Sequence, residues 1–166
     1  VVTKDGKGVT SSHVLICSHF PFFDGRALYF ARMYAERAYV IGIKAKQDFP
    51  GGMYLSIDSP SRSLRYTHIN GEKLVLVSGE GHKTGQSNDT HAHYTNLEIF
   101  AEQTLGIEAY MYRWSTQDLY TLDKIPYIGQ HSSYSPNILV ATGFKKWGMT
   151  SSTVAAQLFS DIIHEK

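Results

Sequence analysis

Disulfides, membrane spans and a strong field of one charge sign are all missing from this sequence. Among 166 residues there is one cysteine, Cys17, so no internal disulfide can form and the chain suits a reducing compartment. Charged residues make up 19%, with 16 basic against 15 acidic, and the net charge of +1 gives no field that would draw nucleic acid or a membrane surface. No apolar run approaches the ~18 residues of a membrane span, and no signal peptide is visible. Together these absences predict a cytoplasmic protein. There is no GxGxxG, no Walker loop and no GxSxG elbow, and no pair of acids stands out for hydrolysis. The chain starts with Val1-Val2 and no Met, so it is expected to be a piece of a longer protein.

Aromatic residues are plentiful, at 13% with 11 Tyr, and must fill a core, a pocket or an interface. Val1 to Ser11 reads as a hairpin around Asp5-Gly6-Lys7-Gly8. His13 to Cys17 is a short apolar strand of the kind buried on both faces. Gly25 to Met33 is read as a short helix and Ala35 to Lys46 as a long strand. Met53 to Ile57, Leu64 to Ile69 and Lys73 to Ser78 follow as strands, with a hairpin signal at Asn70-Gly71. Residues 38–80 therefore read as an antiparallel meander. Gly79 to Asp89 reads as a polar glycine loop. Thr90 to Leu105 is an amphipathic helix with Tyr94, Leu97, Phe100, Ala101 and Leu105 on one face and Gly106 at its end. Glu108 to Ser115 resumes a strand, with Tyr110, Tyr112 and Trp114 on one face.

The ends of the chain show an α/β habit and the middle an antiparallel one. The expected class is α+β, two-lobed, with the middle inserted between two parts of another domain. No repeat or linker appears.

Several chemistry-bearing groups have weak spacing. Gly79-Glu80-Gly81-His82-Lys83-Thr84-Gly85 fails as a dinucleotide loop, because its third glycine is one residue late and the helix starts only near Thr90. His91 and His93 point apart at i, i+2, so with His82 they are read as structural or solvent-facing. Cys17 has no partner and is read as packing. The Tyr and Trp rows fit either a sheet face or an aromatic pocket.

The stretch Gly143 to Ile163 reads as a glycine loop and a helix behind the strand Ile138 to Ala141. Thr150, Ser151 and Ser152 are capping candidates. Val154, Ala155, Leu158, Phe159, Ile162 and Ile163 share one face. A helix start behind glycines gathers unpaired N–H groups and about half a positive charge. Such a place suits a phosphate, a carboxylate or the carbonyl edge of a cofactor ring; a packing helix with an ordinary cap fits the same residues.

One ordered set is more specific. Thr121-Leu122-Asp123-Lys124-Ile125-Pro126-Tyr127-Ile128-Gly129, then Asn137 to Gly143, then Trp147-Gly148-Met149-Thr150 and a terminal helix, resembles the C-terminal part of FAD-dependent oxidases of the glycine oxidase, D-amino-acid oxidase and sarcosine oxidase superfamily. These carry a T-x-D-x-x-P-x-I-G loop, a strand ending in A-x-G, a G-hydrophobic-x-x-x-G loop and a helix. The start, Val14 to His19, resembles their buried strand, and the meander sits where they have an antiparallel substrate domain.

The resemblance implies residues 1–20 as one segment of an FAD domain, 21–115 as the substrate domain and 116–166 as the closing FAD-domain segment. The GxGxxG unit that holds the ADP half of FAD is missing. The missing N-terminal FAD-binding segment is thus the first expected partner, and the isolated chain should bind no FAD and be inactive. In the whole protein FAD would be non-covalent, since Tyr110 stands where sarcosine oxidases tether flavin through cysteine. Gly143, Trp147, Gly148, Met149, Thr150 and Pro126 are the implied cofactor residues. Trp114, Asp118, Tyr112 and Tyr66 are the implied substrate residues, and no metal ligand is expected.

Two departures bear on chemistry. Thr150 occupies the position of the catalytic lysine of sarcosine oxidases, so no catalytic residue is assigned. Asp118 occupies the position of a glycine oxidase arginine that pairs with the substrate carboxylate, which favours a cationic amine there; alternatively Asp118 is solvent-exposed and Arg65 or Arg113 does that work. The implied reaction is oxidation of the C–N bond of a small amine or amino acid by hydride transfer to flavin. Some bacterial relatives carry a Rieske iron–sulfur domain after the terminal helix; a lone Cys cannot hold a cluster. The alternative class is a non-catalytic module binding a ligand or protein through its Tyr-rich sheet.

Overall fold

Residues 1–164 are described in the computed structural model of the chain, and they form two compact units. One comprises Val1–Tyr34 and the chain from Asp118 onward; the other is Ala35–Gln117. The sheets, helices and mixed antiparallel content are those of an α+β protein.

The first unit holds β1 (Val14–Ile16), α1 (Tyr29–Arg32), β7 (Tyr127–Ser132), β8 (Ser135–Thr142) and α3 (Gly148–Ile163). Its sheet runs β1-β8-β7, with β1 parallel and β7 antiparallel to β8. Leu139 and Ala141 of β8 pack against Ala155 and Phe159 of α3, with Ile162 and Ile163 partly buried beside them. Val154 and Leu158, expected on the same covered face, are exposed. β1 is not buried on both faces as its composition suggests. Ile16 is buried, but Leu15 is 45% exposed, because α3 packs chiefly over β7 and β8. The N-terminal hairpin forms as expected: Val1 and Val9 exchange N–H to carbonyl bonds at 2.9 and 2.8 Å, Val2 bridges Gly8, Thr3 N–H donates to Lys7 O at 2.8 Å, and Gly6 N–H closes the turn on Thr3 O.

The helix read over Gly25 to Met33 is a single turn. The Asp24 carboxylate accepts from Tyr29 N–H at 2.6 Å, and Leu28 takes a left-handed conformation at φ 55°. Helix can therefore start only at Tyr29, and Met33 already has extended backbone. His131, buried in the same unit, uses Nε2 to bridge the carbonyls of Phe23 and Asp24, so that nitrogen carries the proton.

The second unit is built on the strands β2 (Met33–Ala45), β3 (Met53–Leu55), β4 (Ser63–Ile69), β5 (Glu72–Lys83) and β6 (Ile107–Thr121), with α2 (Thr90–Leu105). The sheet order is β3-β4-β5-β2-β6. β3, β4 and β5 form a meander, but β2, first in the chain, lies beyond β5. Tyr39, Ile41 and Ile43 of β2 and Val75 and Val77 of β5 face α2, which covers them with Leu97, Ala101 and Leu105. Burying such side chains contributes roughly 1.5–3 kcal/mol each. Asp89 caps α2 by accepting from the N–H groups of His91 and Ala92, and Gly106 ends it at φ 65°.

The segment from Gly79 is not all loop. β5 continues through Lys83, with a register shift opposite Arg37 and Tyr39. A Cβ at Gly79 would stand 2.8 Å from the carbonyl oxygen of Ser61, so a side chain there would displace the backbone. Glu80 follows at φ 54° with its carboxylate turned inward, 7% exposed. It accepts from Arg62 Nη2 at 2.6 Å and from Asn96 Nδ2 at 3.0 Å, which accounts for its charge. His82 and His93 stack at 4.5 Å, and the Tyr39 hydroxyl meets His82 Nε2 at 3.0 Å. Among the described residues no group of acids, histidines and cysteine is arranged to hold a metal.

Candidate functional site

The residues singled out for cofactor contact all belong to the first unit. Tyr127 pairs with Thr142 at the end of the β7/β8 ladder. Pro126 and Gly143 therefore stand together, each one residue beyond that pair. Gly143 is buried at φ +74°, and a Cβ there would lie 2.5 Å from Thr121 Cγ2. The conformation and the close approach both require glycine. The following residues are pinned: Tyr120 bridges to Phe144, and Lys145 N–H donates to Leu119 O at 3.0 Å. Trp147 N–H closes the turn on Phe144 O at 2.9 Å, and Ser151 N–H on Trp147 O starts α3.

The hydroxyls expected to cap α3 do not. The helix begins at Gly148, so Thr150, Ser151 and Ser152 fall inside it rather than at its cap. Ser152 Oγ turns back to Met149 O, and no side chain caps the helix. The N–H groups of Gly148, Met149 and Thr150 have no intrahelical acceptor. No acidic side chain occupies the first turn to neutralise the dipole. Trp147 and Met149 are 66% and 91% exposed, and a Cβ at Gly148 would meet nothing within 4 Å. This end of α3 is thus an open, electron-poor surface with two large apolar side chains beside it. An electron-rich edge fits it.

Two neighbours shape the approach through Pro126. Asp123 accepts from Ile125 N–H at 3.1 Å, and this bond holds its carboxyl below the usual range. Its role is to build the turn that delivers Pro126. Arg32 lies 4.4 Å from the ring centroid of Tyr127 and donates to Ala27 O. That fixed cation next to Pro126 depends on pairing across about 95 residues of chain, a separation no local pattern reveals. Asp118, also in this unit, is half-buried on β6 and engaged, not a free surface carboxylate.

The second unit carries Tyr112, Trp114 and Tyr66. Gly42 alternates with Ile41 and Ile43, so it faces away from α2. A Cβ on Gly42 would touch Tyr112 at 3.4 Å, which places Tyr112 on the face without the helix. Trp114, two residues on along β6, shares its phase. Tyr110 borders instead a shallow groove with Thr95, Glu98 and Glu102 of α2, at the open edge of the sheet. By alternation along β6 Tyr110 shares the phase of Tyr112 and Trp114, and of the three it is the one that borders α2. Tyr66 is elsewhere: it pairs with Val75, which pairs with Ile43, so it stands on the helix face beside Phe49 and His68. It does not join Tyr112 and Trp114. Arg113 also turns to the helix face, over Tyr94, whereas Arg65 lies in one row with Leu76 and Gly42 on the open face.

The profile of the family described as FAD dependent oxidoreductase matches residues 1–162. The Bacillus subtilis (strain 168) protein YhfW, provisionally described as a Rieske 2Fe-2S iron-sulfur protein, is 60% identical over all 166 residues. The chain spans 33% of that relative's length. The glycine oxidase of Bacillus cereus ATCC 14579 superposes with a TM-score of 0.65 at 17% identity, over 95% of this chain and 44% of its own. The L-amino acid deaminase of Proteus vulgaris does so with 0.65 at 19%, over 100% and 42%. Both likenesses show the fold.

Proposed function

The chain belongs to the FAD dependent oxidoreductase family, and on that premise we propose that it is the substrate domain and closing FAD-domain segment of an enzyme that oxidises the C–N bond of an amine or amino acid. The open start of α3, uncapped behind a buried glycine, carries this reading. Its free N–H groups and dipole would hold the pyrimidine edge of a flavin and favour negative charge there. Gly148 leaves room for a ring plane, and Trp147 and Met149 offer apolar contact. Pro126 would border the same ring.

When bound, FAD supplies the redox step, taking a hydride from the carbon next to nitrogen and leaving an imine for water to hydrolyse. This chain's own part is positioning. Tyr112 and Trp114 would wall the substrate site on the open sheet face. Thr150 offers a hydroxyl where a lysine base would stand, so the amine would arrive neutral. Tyr110 offers no thiol for a covalent tether, so the cofactor would be held without a bond. A Rieske domain would lie outside these residues, since Cys17 alone cannot ligate iron. If the whole protein carries such a domain, a dehydrogenase is expected rather than an oxidase.

The test is anaerobic titration of the full-length protein with a panel of amines and amino acids, followed by flavin absorbance. At least one member should bleach the flavin and release ammonia or an amine. A flavin that no member reduces, or a protein purified without flavin that takes up none, would sink the proposal.

A further inference from the structure

Two stacked histidines of the second unit differ in what their ring nitrogens face. In His82, on β5, Nδ1 lies 2.9 Å from the Lys83 carbonyl oxygen, which can only accept, so Nδ1 carries the hydrogen. Its Nε2 then accepts from the Tyr39 hydroxyl at 3.0 Å. Burial holds that phenol above its ordinary value, so it keeps the hydrogen it donates. Both nitrogens of a neutral His82 are thus engaged.

His93, near the start of α2, stacks on His82 at 4.5 Å and on Tyr39 at 4.8 Å. Its Nε2 lies 2.9 Å from Ser87 Oγ. The one hydrogen of that hydroxyl goes to the Asp89 carbonyl oxygen at 3.1 Å, so Nε2 is the donor. Nδ1 is buried, has no hydrogen-bond partner and stands 3.9 Å from Glu80 Oε2. Arg62 donates to Oε1 of Glu80, and Oε2 accepts from Asn96 at 3.0 Å. In a neutral ring Nδ1 would therefore turn a lone pair on a buried carboxylate oxygen. A proton on Nδ1 replaces that opposition with an ion pair.

The other charges around the two rings are already committed. Arg62 is held by Glu80, Arg37 donates to Ser115 Oγ at 2.7 Å, and Arg113 lies one ring away over Tyr94. The Asp89 carboxylate is turned to the N–H groups of His91 and Ala92. A proton on His82 would have to displace one of its two bonds and would face a charged neighbour ring.

We propose that His93 and Glu80 form a proton-dependent clamp, in which a proton taken up on His93 Nδ1 draws the start of α2 and residues 84–89 onto β5 while His82 stays neutral. The clamp reaches beyond the pair. Ser87 links His93 to Asp89, and Asp89 caps α2. The other end of the segment is fixed by Thr84 N–H on Ala35 O at 2.9 Å. Histidine is the side chain whose charge changes between about pH 5 and pH 8. The ion pair exists only with the proton in place, so the clamp is closed at the acid end of that range and loosens as pH rises. It lies wholly within the second unit and does not depend on the flavin reading.

The experiment takes the full-length protein with nitrogen-15-labelled histidine and assigns the two rings by their loss in His82→Gln and His93→Gln. From about pH 8 to about pH 5.5, the His93 nitrogens should pass to the imidazolium pattern while those of His82 keep the neutral one. Amide protection across residues 84–93, corrected for the intrinsic pH dependence of exchange, should rise by about 2- to 5-fold over the same change. In His93→Gln, whose amide can still donate to Ser87, that protection should not vary with pH. If this variant does not fold, Ser87→Ala takes its place: it cuts the link to the segment, so the rise should vanish while His93 still takes its proton. Protonation of His82 before or together with His93, protonation of neither ring, or an equal rise in wild type and variant would overturn the proposal.

Discussion

At the scale of single residues, two glycines five positions apart have different work to do. Gly143 is required by its own fold: left-handed backbone and Thr121 Cγ2 at 2.5 Å from any added Cβ. Gly148 is not, since an added methyl would meet nothing within 4 Å. Gly143→Ala should therefore destabilise the protein by about 2 kcal/mol or more, read as a lowered thermal midpoint. Gly148→Ala should leave the apo-protein's midpoint unchanged or slightly raised, yet weaken FAD binding in a flavin titration of the full-length protein. Equal effects of the two changes on stability would contradict the division. The motif order around these glycines was legible in the sequence, and so was the flavin it implied. The pressure of Thr121 on Gly143 was not, because it joins the ends of β6 and β8. Arg32 beside Tyr127, and the opposite sheet faces of Arg65 and Arg113, were hidden for the same reason: strand register, not spacing, decides them.

Among the elements, α2 was read correctly from end to end, because its apolar spacing, its start and Gly106 all agree. α1 and the Gly79 segment were misread where a local rule met a competitor. Asp24 captured Tyr29 N–H and removed the first turn of a helix. A buried Glu80, neutralised by Arg62 from another strand region, kept β5 in the sheet where a polar glycine run suggests loop. The end of α2 also carries a pH dependence. The Glu102 carboxylate accepts from Ile107 N–H at 2.7 Å, and that bond, ahead of the Lys46 contact, holds its carboxyl below the usual range. A depressed folded value means stabilisation that is complete above the ordinary glutamate value of about 4.3 and is lost as pH falls through the lower folded value. Urea midpoints between about pH 6 and pH 3 should thus fall for the wild type, and Glu102→Gln should flatten that slope. A slope identical in both proteins would remove Glu102 from the account.

For the whole molecule, the chain divides into an interrupted unit, Val1–Tyr34 with the residues from Asp118 onward, and a continuous one, Ala35–Gln117. The ends offer a parallel β1/β8 pair and a helix, the middle an antiparallel sheet under α2. On the proposed reading the first unit offers the ring an open helix start, and the second offers the substrate an aromatic sheet face. The central claim is that the start of α3 receives the flavin, and amide hydrogen exchange tests it most directly. In the full-length protein, the N–H groups of Gly148, Met149 and Thr150 have no acceptor of their own and should exchange fast without FAD. With saturating FAD, exchange across residues 143–150 should slow markedly, while the Thr95–Gln103 face of α2 should be unaffected. FAD bound at one per chain with no change in exchange across 143–150 would contradict the account.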